Sequence, residues 1–362
     1  MRVRVAAGMG MGLLVLAVVA PAARASETNG NGPAAPAALP PAALCAGATR
    51  GGLNIVLPYY PPTVRAAGMG LATVALEGVD SHNPAALGFH EGFDVVLDYG
   101  RVDFQHGPDL DIYHGHVVAP MPVVGGAVKL MGFGISTRNE DNSRIGGRTH
   151  VWAREFGFAF GRQLPLPDAV PGRVAFGMAG FPSDPSEVRI ENGLGSGAVC
   201  KGRGQSKLGS IRVGFMYIPI ETLSLGIQYT HIKDYLRQSL FGGSYRSNAN
   251  YFVNLWTFGL AFRPDEKTVV LVQHMTGRAS GTGVHANYDV FSIGIERLVP
   301  VTDNVEIALR IGAHDTNMTY GIGVNLPGGW RVDYAFLHHY GEQLAAFFGR
   351  GPMHMIGAGK SF

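Results

Sequence analysis

The feature that most constrains this chain is a repeat of short amphipathic segments running from Phe93 to the last residue. Apolar residues alternate with small or polar ones, as in LSLGIQY (223–229), VEIALRIGA (305–313) and WRVDYAF (330–336). Period-two alternation puts the two kinds of side chain on opposite faces of a β-strand. About fourteen such segments, each about ten residues long, are separated by turn-rich connectors. The sequence therefore predicts an all-β fold.

Composition separates a membrane barrel from a soluble sandwich with the same alternation. The chain is 46% hydrophobic and only 15% charged, yet past its N-terminus it has no apolar stretch of about 18 residues, the minimum for a membrane helix. Lipid requires internal pairing of every backbone polar group, which leaves a closed barrel as the alternative to helices. We predict a transmembrane antiparallel β-barrel of about fourteen strands, an even number as in bacterial barrels, over residues 93–362.

The connectors alternate in length, which predicts the orientation of the barrel. PMPVVGG, IE and PGG are short, whereas residues 183–205 and 341–352 are long. Short turns of such barrels face the periplasm and long loops face outwards. Both ends of the barrel then lie in the periplasm, and residues 183–205 are predicted to form an outer loop.

The N-terminal region predicts export. Residues 1–25 combine a basic start, a short apolar run and a small-x-small cleavage site, ARA, at residues 23–25, which is the pattern of a cleaved secretory signal. Residues 26–52 are rich in Ala and Pro and are predicted to be a flexible leader. The expected location is the cell outer membrane, as a multi-pass barrel.

Net charge and cysteine content bear on nucleic-acid binding and on disulfide formation. A formal net charge of +2 is too balanced to indicate nucleic-acid binding. The chain has two cysteines, Cys45 and Cys200, which an exported protein could oxidise. They could meet only if the leader and an outer loop approached each other, so we predict no disulfide.

The last strand carries a candidate assembly signal. The chain ends in Phe362, with Ile356, Ala358 and Lys360 predicted on the same face. A terminal aromatic on a final amphipathic strand resembles the signal read by the barrel-assembly machinery, which is an expected partner during biogenesis. Lys360 stands where an apolar residue is commoner, and its charge can snorkel to the membrane interface.

One stretch identifies a family. Residues 65–87, RAAGMGLATVALEGVDSHNPAAL, resemble the N-terminal hatch motif of the FadL/TodX outer-membrane transporters and their PorV-like relatives: a GMGGA-type segment, an apolar stretch, one or two acidic residues and Asn-Pro-Ala. The small residues allow close approach to the barrel wall, and proline fixes the backbone direction. The candidate hatch and gating residues are Gly68, Met69, Gly70, Asn83, Pro84 and Ala85.

The resemblance implies a hatch, residues 53–92, inside the lumen of a fourteen-stranded barrel. It further implies passive uptake of hydrophobic small molecules, such as long-chain fatty acids or aromatic hydrocarbons, without ATP or a cofactor. In this family the third outer loop contributes to ligand capture, and residues 183–205 are more polar than a capture groove requires. The alternative for Asn83-Pro84-Ala85 is an ordinary turn before the first strand.

Two other functions stay open at this point: a PorV-like scaffold or shuttle for secretion or surface attachment, and a general porin. An importer needs a continuous apolar path, whereas a scaffold or porin can fill its lumen with charge. The alternation points four charged residues into the lower lumen: Glu306, Arg310, Arg331 and Asp333.

Catalytic and metal motifs are weak. The chain has no Gly-x-Ser-x-Gly elbow and no His-Glu-x-x-His pair, and His114-Gly115-His116 lacks a third ligand nearby in sequence. We predict no enzyme activity, metal or cofactor. The expected partners are outer-membrane lipid and lipopolysaccharide together with a hydrophobic ligand, and not nucleic acid.

Overall fold

The computed structural model describes residues 63–103, 109–123, 125–139, 149–181, 185–193, 199–240, 245–281, 284–339 and 351–362. The predicted signal, the predicted leader, Cys45 and the first part of the predicted hatch, residues 53–62, lie outside the described residues, as does the side chain of Cys200.

The described residues form one antiparallel sheet that closes on itself, because β3 pairs with both β2 and β4 at the two ends of the strand order. The strands are β1 (Asp94–Val102), β2 (Leu110–Pro120), β3 (Ala127–Asn139), β4 (Thr149–Leu164), β5 (Arg173–Phe181), β6 (Pro185–Gly193), β7 (Val199–Ile220), β8 (Leu223–Leu240), β9 (Tyr245–Asp265), β10 (Thr268–Gly281), β11 (Val284–Thr302), β12 (Val305–His314), β13 (Asn317–Leu326), β14 (Trp330–Leu337) and β15 (Met353–Ser361).

Strands β5 and β6 occupy a single position in the barrel. Phe181 of β5 pairs with Ser210 of β7, and Pro185 of β6 pairs with Lys207 of β7, so β6 continues the line of β5 along the same neighbour. The barrel therefore has fourteen strands, which confirms the predicted number.

The first and last strands of the barrel pair and close it. Strand β1 pairs with β15 from Asp94 opposite Ser361 to Val102 opposite Met353. The amide of Phe362 donates to the carbonyl of Phe93 at 2.9 Å, and their rings meet edge to face with centroids 5.5 Å apart.

Four tight turns lie at one end of the barrel, here called the short-turn end, whereas the two-residue turn between β12 and β13, Asp315 and Thr316, lies at the other. The short-turn end holds the turns between β7 and β8, β9 and β10, β11 and β12, and β13 and β14, together with Phe93 and Phe362. At the opposite end, the prediction that residues 183–205 form a loop is wrong for most of that stretch. Residues 185–193 and 199–205 are paired strand.

The length of the strands explains why the sequence did not predict this pairing. Strand β7 has 22 residues, about twice the 9–11 that cross a bilayer. A strand that projects beyond the lipid need not carry an apolar face. The polar residues 185–193 and 199–205 therefore lack the alternation from which strands were predicted.

The outer and inner faces of the wall differ as the alternation predicts. On β14, Trp330, Val332 and Tyr334 are exposed on the outside, whereas Asp333 is buried inside. The outer wall is thus apolar and aromatic. Among the described residues, no helix is long and apolar enough to cross a membrane.

Residues 63–92, here called the inner segment, precede the first strand. They contain helix α1 (Val64–Gly68), whose N-cap Thr63 accepts a hydrogen bond from the amide of Ala66, and a 3₁₀ helix, Pro84–Phe89. The remaining residues form turns and bends. The inner segment supplies much of the buried core, including Met69, Val74 and Ala85.

Candidate functional site

The inner segment lies in the lumen, because it touches inward-facing residues around the whole barrel. Lys129 of β3 donates to the carbonyl of Val79 at 2.8 Å, and His90 pairs with Asp94 of β1 at 2.8 Å. Between these strands, inward glycines bring the wall into contact with the segment. These glycines are Gly161, Gly177, Gly214, Gly226, Gly259, Gly294, Gly312, Gly321 and Gly357.

The predicted triplet Gly68, Met69 and Gly70 lies where the segment passes closest to β12 and β13. A Cβ atom on Gly68 would come within 3.0 Å of the Cα atom of Gly321, and one on Gly312 would overlap the backbone of Met69 and Gly70. Gly70 has a φ of +65°, which favours glycine. Its amide donates to the hydroxyl of Thr319 at 2.9 Å. The glycines therefore permit backbone-to-backbone packing.

The predicted triplet Asn83, Pro84 and Ala85 lies on the other side of the lumen, against β5 and β7. The side-chain amide of Asn83 donates to the carbonyls of Val74 and Phe215, both at 3.0 Å. Its side-chain oxygen accepts from the amide of Ala85 at 3.0 Å and caps the 3₁₀ helix. The backbone of Asn83 is extended, as is usual for a residue before proline.

Asn83 therefore joins two parts of the inner segment to strands β7 and β8, since its side-chain amide also lies 3.5 Å from the carbonyl oxygen of Ile227. A second anchor lies nearby, where the side-chain oxygen of Gln273 on β10 accepts from the amides of Thr73 and Val74 at 3.0 and 2.9 Å. Buried backbone amides require such partners. These contacts locate the two triplets, but their role in gating stays a prediction, as does the hatch itself.

A closed ring of six charged side chains ties the inner segment to the wall, and we call it the arginine–carboxylate ring. In order around the ring, its members are Arg65, Asp80, Arg331, Asp333, Arg310 and Glu296.

Every neighbouring pair in the ring is in contact. Asp80 lies 3.0 Å from both Arg65 and Arg331. Asp333 lies 2.7 Å from both Arg331 and Arg310. Glu296 lies 2.5 Å from Arg310 and 2.6 Å from Arg65. Three positive and three negative charges alternate, so the ring is neutral and each buried charge has two partners, as burial of charge demands.

The environment of Asp80 keeps it ionised. Burial raises the pKa of Asp80, but the positive charges of Arg331 and Arg65 more than reverse this, so its pKa lies well below the usual value. Burial lowers the pKa of Arg65, and the carboxylates of Glu296 and Asp80 raise it above the usual arginine value. Both charges therefore persist throughout the physiological pH range.

The half of the lumen away from the short-turn end is lined differently. Two apolar clusters cover its inner wall, one on β8–β11 and one on β1–β3, β14 and β15, with contributions from α1. The first contains Ile232, Val253, Leu255, Met275, Ala279, Tyr288 and Val290. The second contains Val64, Ala67, Val102, Leu110, Ile112, Phe133, Ala335, Leu337, Met353 and Met355.

Beside the inner segment the lumen therefore holds the charged ring together with apolar packing of the segment on the wall, and beyond the segment its wall is apolar. Of the four charges predicted to face inwards, Arg310, Arg331 and Asp333 are members of the ring. Glu306 lies on the same face at the rim, 3.8 Å from Lys267. Sequence reasoning missed Arg65, Asp80 and Glu296 as a set, although Asp80 belongs to the acidic part of the quoted motif.

His114 and His116, the weak metal candidate from the sequence, are both buried in the lumen wall. His114 lies 3.3 Å from Asp98, and His116 is buried beside it with ring centroids 5.2 Å apart. Among the described residues, no group of three or more His, Cys, Asp or Glu side chains is arranged to hold a metal ion.

Comparison with known proteins places the fold. The CymD monoaromatic hydrocarbon channel matches with a TM-score of 0.54 and 12% identity, over 83% of this chain and 97% of that one. The Ralstonia pickettii toluene transporter TbuX matches with a TM-score of 0.51 and 14% identity, over 84% and 98%. A Pseudomonas aeruginosa FadL homologue matches with a TM-score of 0.51 and 12% identity, over 83% and 96%.

No family model and no curated protein matches the sequence. At 12–14% identity the structural likeness establishes the fold. The chain has the closed fourteen-stranded fold of FadL-type barrels, as the sequence motif predicted.

Proposed function

We propose that this chain is an outer-membrane channel for the passive uptake of hydrophobic small molecules. The observation that carries the proposal is the apolar inner wall between the inner segment and the far end of the barrel. Side chains such as Leu255 and Met355 are buried in these clusters, so an apolar solute reaches them once the packing that covers them opens, and its transfer from water is favoured by about 25 cal/mol per Å² of buried apolar surface.

The inner segment is the proposed hatch. It occupies the lumen at the level where the charged ring lies, so a solute that has crossed the apolar half meets it directly. The candidate gating residues Gly68, Met69, Gly70, Asn83, Pro84 and Ala85 all lie at its contacts with the wall. Displacement of the segment would open the path to the short-turn end, which we assign to the periplasm.

The charged ring favours the importer over a porin. A porin needs lumen charges that face water. Here each ring charge contacts two opposite charges, and Arg310 and Asp333 are almost fully buried. The ring therefore offers little to a hydrophilic solute and acts as an attachment for the inner segment.

The substrate class follows from the same lining and from the relatives. CymD and TbuX are described as a monoaromatic hydrocarbon channel and a toluene transporter, and an aromatic hydrocarbon or long-chain fatty acid fits a wall of Met, Leu, Val and Phe side chains. No step of this transport requires catalysis or a cofactor.

Residues 1–25 are the proposed cleaved signal, and Phe362 is the proposed signal to the barrel-assembly machinery. Phe362 is 71% exposed at the end of β15, so it is accessible to an assembly factor. Outer-membrane phospholipid and lipopolysaccharide are the proposed surroundings of the apolar outer wall.

Whole-cell uptake tests the function. Cells that express the chain, in a host without other channels of this kind, should take up labelled oleate or toluene faster than cells without it, and should not gain permeability to small sugars. The double variant Leu255→Gln with Met275→Gln makes the lumen wall polar and should reduce the uptake.

Leu326→Gln is the matched control, because Leu326 is exposed at the short-turn end outside the lumen. It should transport like the wild type. Sugar permeability in the wild type, without added uptake of the hydrophobic probe, would establish a porin. A barrel that assembles and passes neither probe would support the scaffold.

A further inference from the structure

A groove interrupts the apolar outer wall. It has a volume of about 890 Å³ and runs across β1–β4, β14 and β15. Its outward-facing floor includes Gly115 and Gly132, which lie opposite each other on β2 and β3. Large exposed side chains, Leu97, Tyr113 and Phe156, stand around these glycines.

A lysine lies beside the groove, towards the short-turn end. Ala358 lines the groove, and Lys360 is the next outward-facing residue of β15, which places it about 7 Å away along the strand. Lys360 pairs across the sheet with Trp330. Its Nζ atom lies 4.7 Å from the centroid of the Trp330 ring and 4.9 Å from that of Phe362.

The charge of Lys360 is not neutralised within the described part of the chain. Its contacts there are with aromatic rings, and no described carboxylate forms an ion pair with it. Cation–π contacts hold the ammonium group in place without cancelling its charge. The site is therefore electrically complementary to an external anion at the membrane interface.

We propose that the groove and Lys360 together bind one anionic phospholipid. Its phosphate lies at Lys360, between the rings of Trp330 and Phe362, and one acyl chain enters the groove past Ala358. The distance suits this arrangement, because a phosphate at the interface begins its acyl chains one or two strand residues deeper in the membrane.

Phospholipid is favoured over lipopolysaccharide by the position of the lysine. Lys360 lies at the end of the barrel that holds the short turns and both barrel ends, which is the periplasmic end in barrels of this kind. Lipopolysaccharide occupies the opposite leaflet. The proposal concerns the outer wall and is independent of what passes through the lumen.

Two variants separate the charge from the groove. Lys360→Gln removes the anion contact. Gly132→Leu places a side chain on the groove floor, and it suits this purpose because a Cβ at Gly132 would lie 3.7 Å from the Phe156 ring, an ordinary contact distance. Lys267→Gln is the matched control, since Lys267 is an exposed lysine of the same rim, outside the groove.

The full chain is purified in mild detergent, mixed with equal amounts of phosphatidylglycerol and phosphatidylethanolamine, and examined by native mass spectrometry. The wild type and Lys267→Gln should retain one phosphatidylglycerol in preference to phosphatidylethanolamine. Lys360→Gln should lose about fivefold of that preference, as expected from about 1 kcal/mol for a lysine at a lipid surface. Gly132→Leu should retain less of both lipids than the wild type.

Heat-modifiable migration on gels identifies the variants that have assembled, and only these are compared. Equal lipid retention by the wild type, Lys360→Gln and Gly132→Leu would overturn the proposal. A wild type purified directly from membranes with lipopolysaccharide in the site would overturn it as well.

Discussion

Replacement of Asp80 by Asn should weaken the docking of the inner segment while leaving the barrel intact. The variant removes the one negative charge that lies between Arg65 and Arg331, 3.0 Å from each. Arg65 keeps Glu296 as a partner, and Arg331 keeps Asp333. The ring then holds three positive and two negative charges.

The magnitude follows from burial. Removing one partner of a buried ion pair costs about 3–5 kcal/mol. Arg65 and Arg331 are 22% and 21% exposed and each retains a partner, so we expect about 2–3 kcal/mol here. The cost falls on docking of the inner segment, because the hydrogen-bond ladder of the closed wall is unchanged.

Hydrogen exchange of the full chain in micelles measures this cost directly. A loss of about 2–3 kcal/mol corresponds to about 30- to 140-fold faster exchange of inner-segment amides, among them those of Thr73 and Val74. Strand amides should be unchanged. Asp98→Asn is the control, since Asp98 is a buried inward carboxylate outside the ring. Unchanged exchange in Asp80→Asn, or equal acceleration in strands and segment, would refute the argument.

Three further predictions concern the same contacts. The folded protein holds the pKa of Asp80 well below the usual aspartate value of 3.8. The contribution of Asp80 to docking is therefore complete above that usual value and is lost as pH falls through the lower folded pKa. Hydrogen exchange of the inner segment should show no Asp80-dependent change between about pH 5 and 8. The double variant Asn83→Ala with Pro84→Ala removes the side-chain amide contacts to the carbonyls of Val74 and Phe215. The variant barrel should keep heat-modifiable migration, alter uptake of a hydrophobic probe and admit small hydrophilic solutes. Failure of the variant to assemble would instead show that the inner segment is required for folding. Gly312→Ala places a Cβ atom in the backbone of Met69 and Gly70 and should weaken docking by about 1–3 kcal/mol, whereas Gly132→Ala on the outer face should not change segment exchange.

The fold could be predicted because a membrane barrel leaves a local signature. Alternation along each strand reflects lipid on one face and lumen on the other, so residues such as Trp330 and Asp333 can be assigned to the correct faces from their neighbours alone. The strand extensions at residues 185–193 and 199–205 escape this test because no lipid enforces alternation there. These extensions are visible only in the pairing of β6 with β7.

The ring could not be predicted for a different reason. Its members come from positions 65, 80, 296, 310, 331 and 333, and only closure of the barrel brings them together. A period-two pattern places Arg310, Arg331 and Asp333 in the lumen, but it carries no information on which charge each meets. The acidic position of the hatch motif suggests Asp80, and its two arginine partners required the structure.

The distribution of charge in the ring leads to one more prediction. The inner segment contributes Arg65 and Asp80, one charge of each sign, and the wall contributes two arginines and two carboxylates. Undocking therefore leaves the ring charges of each part balanced, with no excess of either sign from the ring. Replacing Arg65 by Gln together with Asp80 by Asn keeps that balance, whereas Asp80→Asn alone leaves an excess positive charge. Since loss of one partner from a buried pair costs more than loss of both, inner-segment amides of the double variant should exchange more slowly than those of Asp80→Asn, though faster than in the wild type. If the inner-segment amides of the double variant instead exchange faster than those of either single variant, the two charges act independently. The balance of ring charges between the inner segment and the wall then has no role in docking.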